Sequence, residues 1–303
     1  RVTSGAGTGR TCGLAEFVAQ EEMDRPRGFW WSPDSARIAF CEVDESDIGV
    51  YRIVHQGSDA VGEAAQEDHR YPFAGAANAR VRVGIVDVDG GEPVWADLGD
   101  HEYVARVDWH PAGHLLVQVE DRRQRELRVH RVDPSTGASA VLVTETSDVW
   151  INLHDLLRPL PGGGFLWASE RSGFRHLEVR GDDGALLRSL TSGDWLVETV
   201  AGVDDRHVWF TATRDSPLER HLYAVPLDGG PDEVRRVTTE PGTHTVVVDA
   251  ERGRFVDTWS SLTQPPSSAS TVSRPGSRRS RSTAWCSMPP CGCPRAAVPS
   301  RPS

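Results

Sequence analysis

The chain has 303 residues, a formal net charge of −11 at pH 7 and ten tryptophans. So acidic a chain argues against binding nucleic acid or an anionic membrane surface through charge, and neither is predicted as a partner. No apolar run reaches membrane-spanning length, and five cysteines do not suit a disulfide framework, so a cytoplasmic setting is favoured. The compartment itself stays open, because the sequence begins at Arg1 and we expect its native start to be missing.

The first predicted element is a short helix at about residues 14–23. Apolar residues recur there at helical spacing, and Pro26 biases the residue before it away from helical geometry. The apolar stripe consists of Leu14, Phe17, Val18 and, less regularly, Met23. A helix would be an exception in this chain, because short β-like runs separated by turns follow it.

Two adjacent acids, Glu21 and Glu22, fall in the last turn of this helix. The negative end of the helix dipole disfavours them there. An ammonium group between the two carboxylates would relieve their mutual repulsion through charge-assisted hydrogen bonds. From the residues alone, solvated surface acids remain the simpler interpretation.

Strand-and-turn segments then recur at a nearly fixed spacing. Four turn aspartates, at Asp89, Asp133, Asp183 and Asp228, are 44, 50 and 45 residues apart. Three or four antiparallel strands in every such period are typical of a β-propeller blade, so we predict an all-β fold of about five blades with one inserted helix. A β-sandwich is the alternative, but it would not need a fixed period.

The predicted domain organisation has three parts. Residues 1–13 are interpreted as the end of a preceding blade, and residues 14–264 as a partial propeller. Residues 265–303 contain no Leu, Ile, Phe or Tyr and cannot supply a core face, so they are predicted to be disordered or translated out of frame. The second interpretation is preferred, because the absence of Lys indicates GC-rich DNA, whose shifted frames encode such residues.

Familiar catalytic motifs are absent from these 303 residues. There is no Gly-x-Ser-x-Gly, no His-Glu-x-x-His, no phosphate-binding glycine loop and no Cys-x-x-Cys. No catalytic residue, metal site or cofactor is therefore predicted; Cys286, Cys291 and Cys293 lack a fourth ligand nearby. His154 and Asp155 are not predicted to act as an acid–base pair, because neighbours on a strand point to opposite faces.

Several segments, in order, carry a resemblance to a known family. "EFVAQEEMDR", "GFWWSPDSARIAF", "VDES" and "YPFAGAANARVRVGIVDV" resemble the dipeptidyl peptidase IV branch of the prolyl oligopeptidase (S9) family of serine peptidases. Later segments, "TSDVWINLHD", "SERSGFRHL", "LTSGDW" and "ATRDSPLERHLY", are similar to its bacterial members. The similarity covers about residues 10–264.

The resemblance implies a fold and an activity. Members join an eight-bladed propeller to a C-terminal α/β-hydrolase domain with a Ser-Asp-His triad, and they remove X-Pro or X-Ala dipeptides from peptide N-termini. This chain would hold about five of the eight blades and no hydrolase domain. We therefore expect a truncated, substrate-gating propeller portion that is inactive alone.

The resemblance also implies partners. Matched residue by residue, Glu21 and Glu22 would bind the free α-ammonium of a peptide substrate. Residues of about 47–70, inserted where other units have a short turn, resemble an arm that reaches toward a second subunit, so a homodimer is expected for the intact protein; their polar composition also fits a floppy loop. The alternative function is a non-enzymatic, TolB- or WD40-like propeller that binds proteins or ligands, which explains the period but not the acid pair.

Overall fold

The computed structural model describes residues 2–57 and 59–272. Regular structure in this part of the chain is almost entirely β, in small antiparallel sheets, with one short α-helix and two 3-10 turns, Gly62–Ala65 and Pro231–Glu233. The first three sheets belong to one compact unit, residues 1–192, and the last two to a second unit that begins at Gly193. The predicted all-β, blade-like architecture is confirmed.

The first sheet contains an interrupted strand. Its members are β1 (Arg10–Cys12), β2 (Phe29–Trp31), β3 (Arg37–Asp44), β6 (Arg80–Asp87) and β7 (Val94–Trp95). On one side of β3, β1 pairs with its last residues and β2 with its first half, while β6 pairs along the full length of the other side. The connection between β1 and β2 contains the helix α1 (Phe17–Glu21). The helix is thus an insertion into one strand position.

The remaining blade-like sheets follow chain order. The second consists of β8 (Tyr103–Trp109), β9 (Leu115–Glu120), β10 (Glu126–Val132) and β11 (Ser139–Thr146). The third consists of β12 (Arg158–Pro159), β13 (Phe165–Ser169), β14 (His176–Arg180) and β15 (Leu186–Ser189). In the second unit, β16 (Val197–Val203), β17 (His207–Ala212), β18 (His221–Pro226) and β19 (Arg235–Arg236) form one sheet, and β20 (Thr243–Asp249), β21 (Arg254–Ser261) and β22 (Gln264–Val272) the next.

A separate two-stranded hairpin, here called the arm, projects from the first sheet between β3 and β6. It consists of β4 (Val50–Val54) and β5 (Gln66–Arg70), which pair only with each other among the described residues.

The repeat read from the sequence has a direct structural counterpart. Each of the four turn aspartates, from Asp89 to Asp228, lies between the last two strands of its sheet. In the third sheet the same turn contains Gly184, whose φ is +83° and whose missing Cβ would lie 1.9 Å from the carbonyl oxygen of Leu142 in β11. Only glycine fits there, because any side chain would collide with the backbone of the preceding sheet.

Alternate residues of β9 face two different cores. Leu115, Val117 and Val119 pack with residues of the first sheet, whereas Leu116 packs with Phe165 of the third sheet. This arrangement follows from the period-2 alternation of side chains in a strand. A central strand covered on both faces is therefore apolar over most of its length.

The helix is shorter than predicted. It spans Phe17–Glu21 instead of 14–23, because Leu14 forms a β-bridge with Arg27 and is 60% exposed, while Met23 is buried beyond the helix end. Of the predicted apolar stripe, only Met23 is buried, Phe17 and Val18 are partly buried, and Leu14 is used in strand pairing.

The predicted tail also begins later than its composition indicates. Residues 264–272 form β22, which pairs with β21 from Gln264 opposite Ser261 to Val272 opposite Arg254. Backbone hydrogen bonds between strands need no apolar side chain, so a Ser- and Pro-rich segment can pair at a sheet edge. The rest of the tail, with Cys286, Cys291 and Cys293, lies outside the described residues, and the out-of-frame interpretation stays a prediction.

Glu120 at the end of β9 generates a prediction about stability. It is 1% exposed and neither carboxylate oxygen has a hydrogen-bond partner in the described part of the chain. Burial raises the pKa of Glu120 to about 7, an effect that Asp121 reinforces and Arg106 opposes. Because the folded-state pKa is above the unfolded value, the folded protein binds more protons in this window, and stability falls as pH rises toward 7.

We expect Glu120→Gln to stabilise the protein more at high pH than at low pH. The gain in the free energy of unfolding should be about 2 kcal/mol larger at pH 8 than at pH 5, since only the charged form carries the burial penalty. Urea unfolding at both pH values measures this, with Glu92→Gln in an exposed turn as the control. A gain that does not depend on pH would contradict the prediction.

Candidate functional site

Glu21 and Glu22 lie at the exit of α1. Glu21 is the last helical residue and Glu22 the C-cap, and both are exposed. Neither side chain has a hydrogen-bond or ion-pair partner among residues 2–57 and 59–272. These two acids, here called the acid pair, are thus adjacent, solvent-accessible and available to a cation.

A buried ion pair closes the helical insertion. Arg25 Nη2 lies 2.7 Å from Glu16 Oε2, and the two side chains are only 4% and 5% exposed. They flank α1 on either side, and Arg25 Nε also donates to the carbonyl oxygen of Val104 in β8 at 2.9 Å. A helix of five residues without a side-chain N-cap is not stable by itself, so these contacts hold it.

The stem of the insertion is tight. Gly28 approaches the backbone of Leu14 so closely that a Cβ would lie 2.3 Å from its carbonyl carbon. Together with the Leu14–Arg27 bridge, this brings the two ends of the insertion side by side. A larger residue at position 28 would force them apart.

A charged cavity of about 290 Å³ is lined by the residues that follow the acid pair, from Asp24 to Arg27, but not by Glu21 or Glu22. Its walls come from the α1–β2 connection, from β8 and β9, and from the segment leading into β12. Side chains of both signs line it, among them Arg27, Arg106, Asp108, Asp155 and Arg158. Burial raises the pKa of Asp108, and the nearby Arg158 opposes that shift.

Aromatic contacts connect α1 with the base of the arm. The rings of Phe17 and Tyr71 meet edge to face at 4.9 Å, and Tyr71 meets Phe73 at the same distance. Phe73 in turn contacts Tyr51 of β4 at 5.7 Å. The helix and the arm are therefore packed against each other through side chains.

His154 and Asp155 lie in the irregular segment before β12, not in a strand as expected from the sequence, and each side chain has a different partner. His154 Nε2 donates to the carbonyl oxygen of Ala168 at 2.9 Å, and its Nδ1 accepts from the Leu156 N–H at 3.2 Å. Burial lowers the pKa of His154 to about 4, so the ring is neutral near pH 7. Asp155 instead forms an ion pair with Arg106 at 2.5 Å.

Within the described residues, no group of three or more His, Cys, Asp or Glu side chains is arranged to hold a metal ion. Burial raises the pKa of the Cys41 thiol to about 12, so this sulfur remains protonated. No helix in the same part of the chain is long and apolar enough to cross a membrane.

The family is established by comparison over most of the chain. A profile described as "Dipeptidyl peptidase IV (DPP IV) N-terminal region" matches residues 1–266. The chain belongs to this family. The resemblance seen in the short motifs is thereby confirmed, and so is the propeller fold class.

Individual dipeptidyl peptidases share about a quarter of their aligned residues with this chain. Human dipeptidyl peptidase 8 is 28% identical, and the alignment covers 84% of this chain and 37% of the relative. A probable dipeptidyl-aminopeptidase B of Emericella nidulans is 28% identical over 81% of this chain and 30% of its own length. The crystal structure of dipeptidyl peptidase 4 from Porphyromonas gingivalis matches with a TM-score of 0.80 and 25% identity, covering 90% of this chain and 39% of that one. The chain thus spans between 30% and 39% of the length of these relatives.

The Glu16–Arg25 pair gives a testable expectation for this dipeptidyl peptidase IV-type region. Arg25→Ala should destabilise the protein by about 3–5 kcal/mol, because it leaves the Glu16 carboxylate buried without compensation. Replacing both partners at once, as in Glu16→Gln with Arg25→Met, should cost much less, since no charge is then stranded.

Denaturant unfolding provides the measurement. The matched control is Arg10→Ala, which breaks the more exposed Arg10–Asp44 pair at 2.8 Å and should cost less than about 1 kcal/mol. Equal losses for Arg25→Ala and Arg10→Ala would show that the buried pair does not hold the insertion.

Proposed function

We propose that this chain is the substrate-gating propeller portion of a dipeptidyl peptidase IV-like serine peptidase that removes X-Pro or X-Ala dipeptides from peptide N-termini. One observation carries the proposal: two adjacent carboxylates are exposed, unpaired within the described residues and held on an inserted helix whose ends are fixed. Family membership and the names of the relatives support it. A propeller that only binds proteins would give no reason for this insertion.

The chemistry of the acid pair suits a free amino terminus. An α-ammonium group carries three N–H donors, and two carboxylates can accept them in charge-assisted hydrogen bonds. The C-terminal end of α1 contributes additional negative potential at the same place. Holding the amino terminus at a fixed point would set how far a peptide enters, and hence that cleavage follows the second residue.

On this proposal the serine that hydrolyses the peptide lies outside these 303 residues, which contain no Gly-x-Ser-x-Gly. On this proposal the chain binds peptide amino termini but does not cleave an X-Pro reporter when assayed alone.

The acid pair can be tested directly by binding. We expect Glu21→Gln and Glu22→Gln each to weaken binding of the tripeptide Ala-Pro-Ala roughly 30-fold or more, because a cation loses a charged partner worth about 2–5 kcal/mol. NMR titration of the peptide measures the affinity. The N-acetylated tripeptide is the ligand control and Glu92→Gln the protein control; tight binding of the acetylated form by the wild type would contradict the proposal.

We further propose that the arm mediates homodimerisation of the intact protein. Among the described residues its two strands pair only with each other, and apart from the aromatic contact at its base no strand covers its faces; a two-stranded hairpin is marginally stable without such cover. Val50, Tyr51, Ile53 and Val54 of β4 are all exposed, which is an unusual concentration of apolar surface for one strand. A second copy of the chain would cover it.

Deleting residues 47–70 should convert a dimer into a monomer in light scattering, because it removes this apolar surface. Ile53→Glu tests the same surface without removing Ile48, which is buried at the arm base. Circular dichroism serves as the control for folding. A dimer that survives both changes would exclude the arm as the interface.

A further inference from the structure

One arginine contacts the backbone directly behind the acid pair. Arg106 Nη1 donates to the carbonyl oxygen of Met23 at 2.6 Å, and Met23 is the residue that follows Glu22. Arg106 belongs to β8 of the second sheet, and its side chain is 13% exposed. A largely buried cation therefore donates to the first carbonyl beyond the helix C-cap.

The same guanidinium makes two further hydrogen bonds. Its Nε donates to Asp155 Oδ1 at 2.5 Å, and Asp155 lies in the segment that leads into β12 of the third sheet. Nη1 also donates to the carbonyl oxygen of Ala105 at 2.8 Å. One side chain thus joins the α1 insertion, its own strand and the entry to the next sheet.

These contacts fix an orientation as well as a distance. A guanidinium is planar and presents its donors in a rigid fork, so a carboxylate bound at Nε determines where Nη1 points. Met23 is the first residue beyond the C-cap Glu22, so its carbonyl has no partner within the helix and accepts from Arg106 instead. Asp155 therefore acts on the helix exit through Arg106 and does not need to touch a ligand.

We propose that Arg106 and Asp155 are positioning residues for the acid pair: the Asp155–Arg106–Met23 connection sets the place of the Glu21 and Glu22 carboxylates relative to an incoming amino terminus. This inference rests on the proposed function of the acid pair. It assigns a role to Asp155. The sequence suggested only an acid–base pair with His154, and that pair was not predicted. Binding sites of this kind lose effectiveness when their groups are displaced by about 1 Å.

Hydrogen exchange and peptide binding together test the connection in the 303-residue chain. Asp155→Asn should raise the exchange rates of the Glu22 and Arg25 amides, which donate to Val18 and Ala19 respectively, by roughly three- to tenfold. It should weaken binding of Ala-Pro-Ala by a similar factor and leave its N-acetylated form unaffected. Asp155→Glu should retain most of the wild-type behaviour, and Arg106→Gln should show a larger loss than Asp155→Asn.

The matched control is Asp87→Asn, which breaks an exposed Arg–Asp pair of 3.1 Å in the first sheet. If Asp155→Asn and Arg106→Gln match this control in both measurements while Glu21→Gln still weakens binding, the positioning role is wrong and the acid pair stands. If the wild type binds the free and acetylated peptides equally, the acid pair and the positioning role fall together. Faster exchange confined to the α1 insertion, with weaker binding of the free amine alone, supports the proposal.

Discussion

The pairing of one strand with two others is the constraint on which the site depends. β3 carries β1 and β2 in succession along one side, with Cys12 opposite Glu42 and Phe29 opposite Phe40. Since those two positions on β3 are only two residues apart, the ends of the insertion are separated by about 7 Å. Everything between them must leave the sheet and return to the same point, which forces a compact loop with α1 at its tip.

A loop closed in this way still needs internal contacts to have one conformation. The buried Glu16–Arg25 pair supplies them, at the cost of removing two charges from water. Apolar residues of similar size could make the folded protein equally stable. The ion pair instead restricts the backbone of the insertion to one conformation, because its hydrogen bonds have defined directions. In this region the specified geometry is that of two neighbouring carboxylates.

The fold was more accessible from the sequence than the site. The spacing of Asp89 and its three counterparts reports a turn that each sheet repeats, so the period survives large changes in the residues between. The limits of α1 could not be predicted, because strand pairing at Leu14 competes with helical periodicity. β22 was missed for a related reason, since its pairing depends on backbone groups that composition does not reveal.

The resemblance to a known family identified the acid pair, but it did not identify the residues that hold the α1 insertion in place. Arg25 and Arg106 contact backbone oxygens 79 and 83 residues away in the sequence, and no local pattern distinguishes them from the other arginines. Asp155 is likewise an ordinary surface acid until its partner is known. A local motif can identify the residues proposed to bind a ligand. The residues that hold their backbone in place are recognised only in the tertiary structure.

The turn at Gly184 has a wider consequence when it is set beside the two insertions. That turn lies against the backbone of the preceding sheet and has no room to grow. In the first sheet, by contrast, the α1 insertion interrupts the strand position beside β3, and the arm extends the connection between β3 and β6. Connections of this kind can change in length without disturbing the contacts between neighbouring sheets, whereas a turn packed as tightly as that of Gly184 cannot.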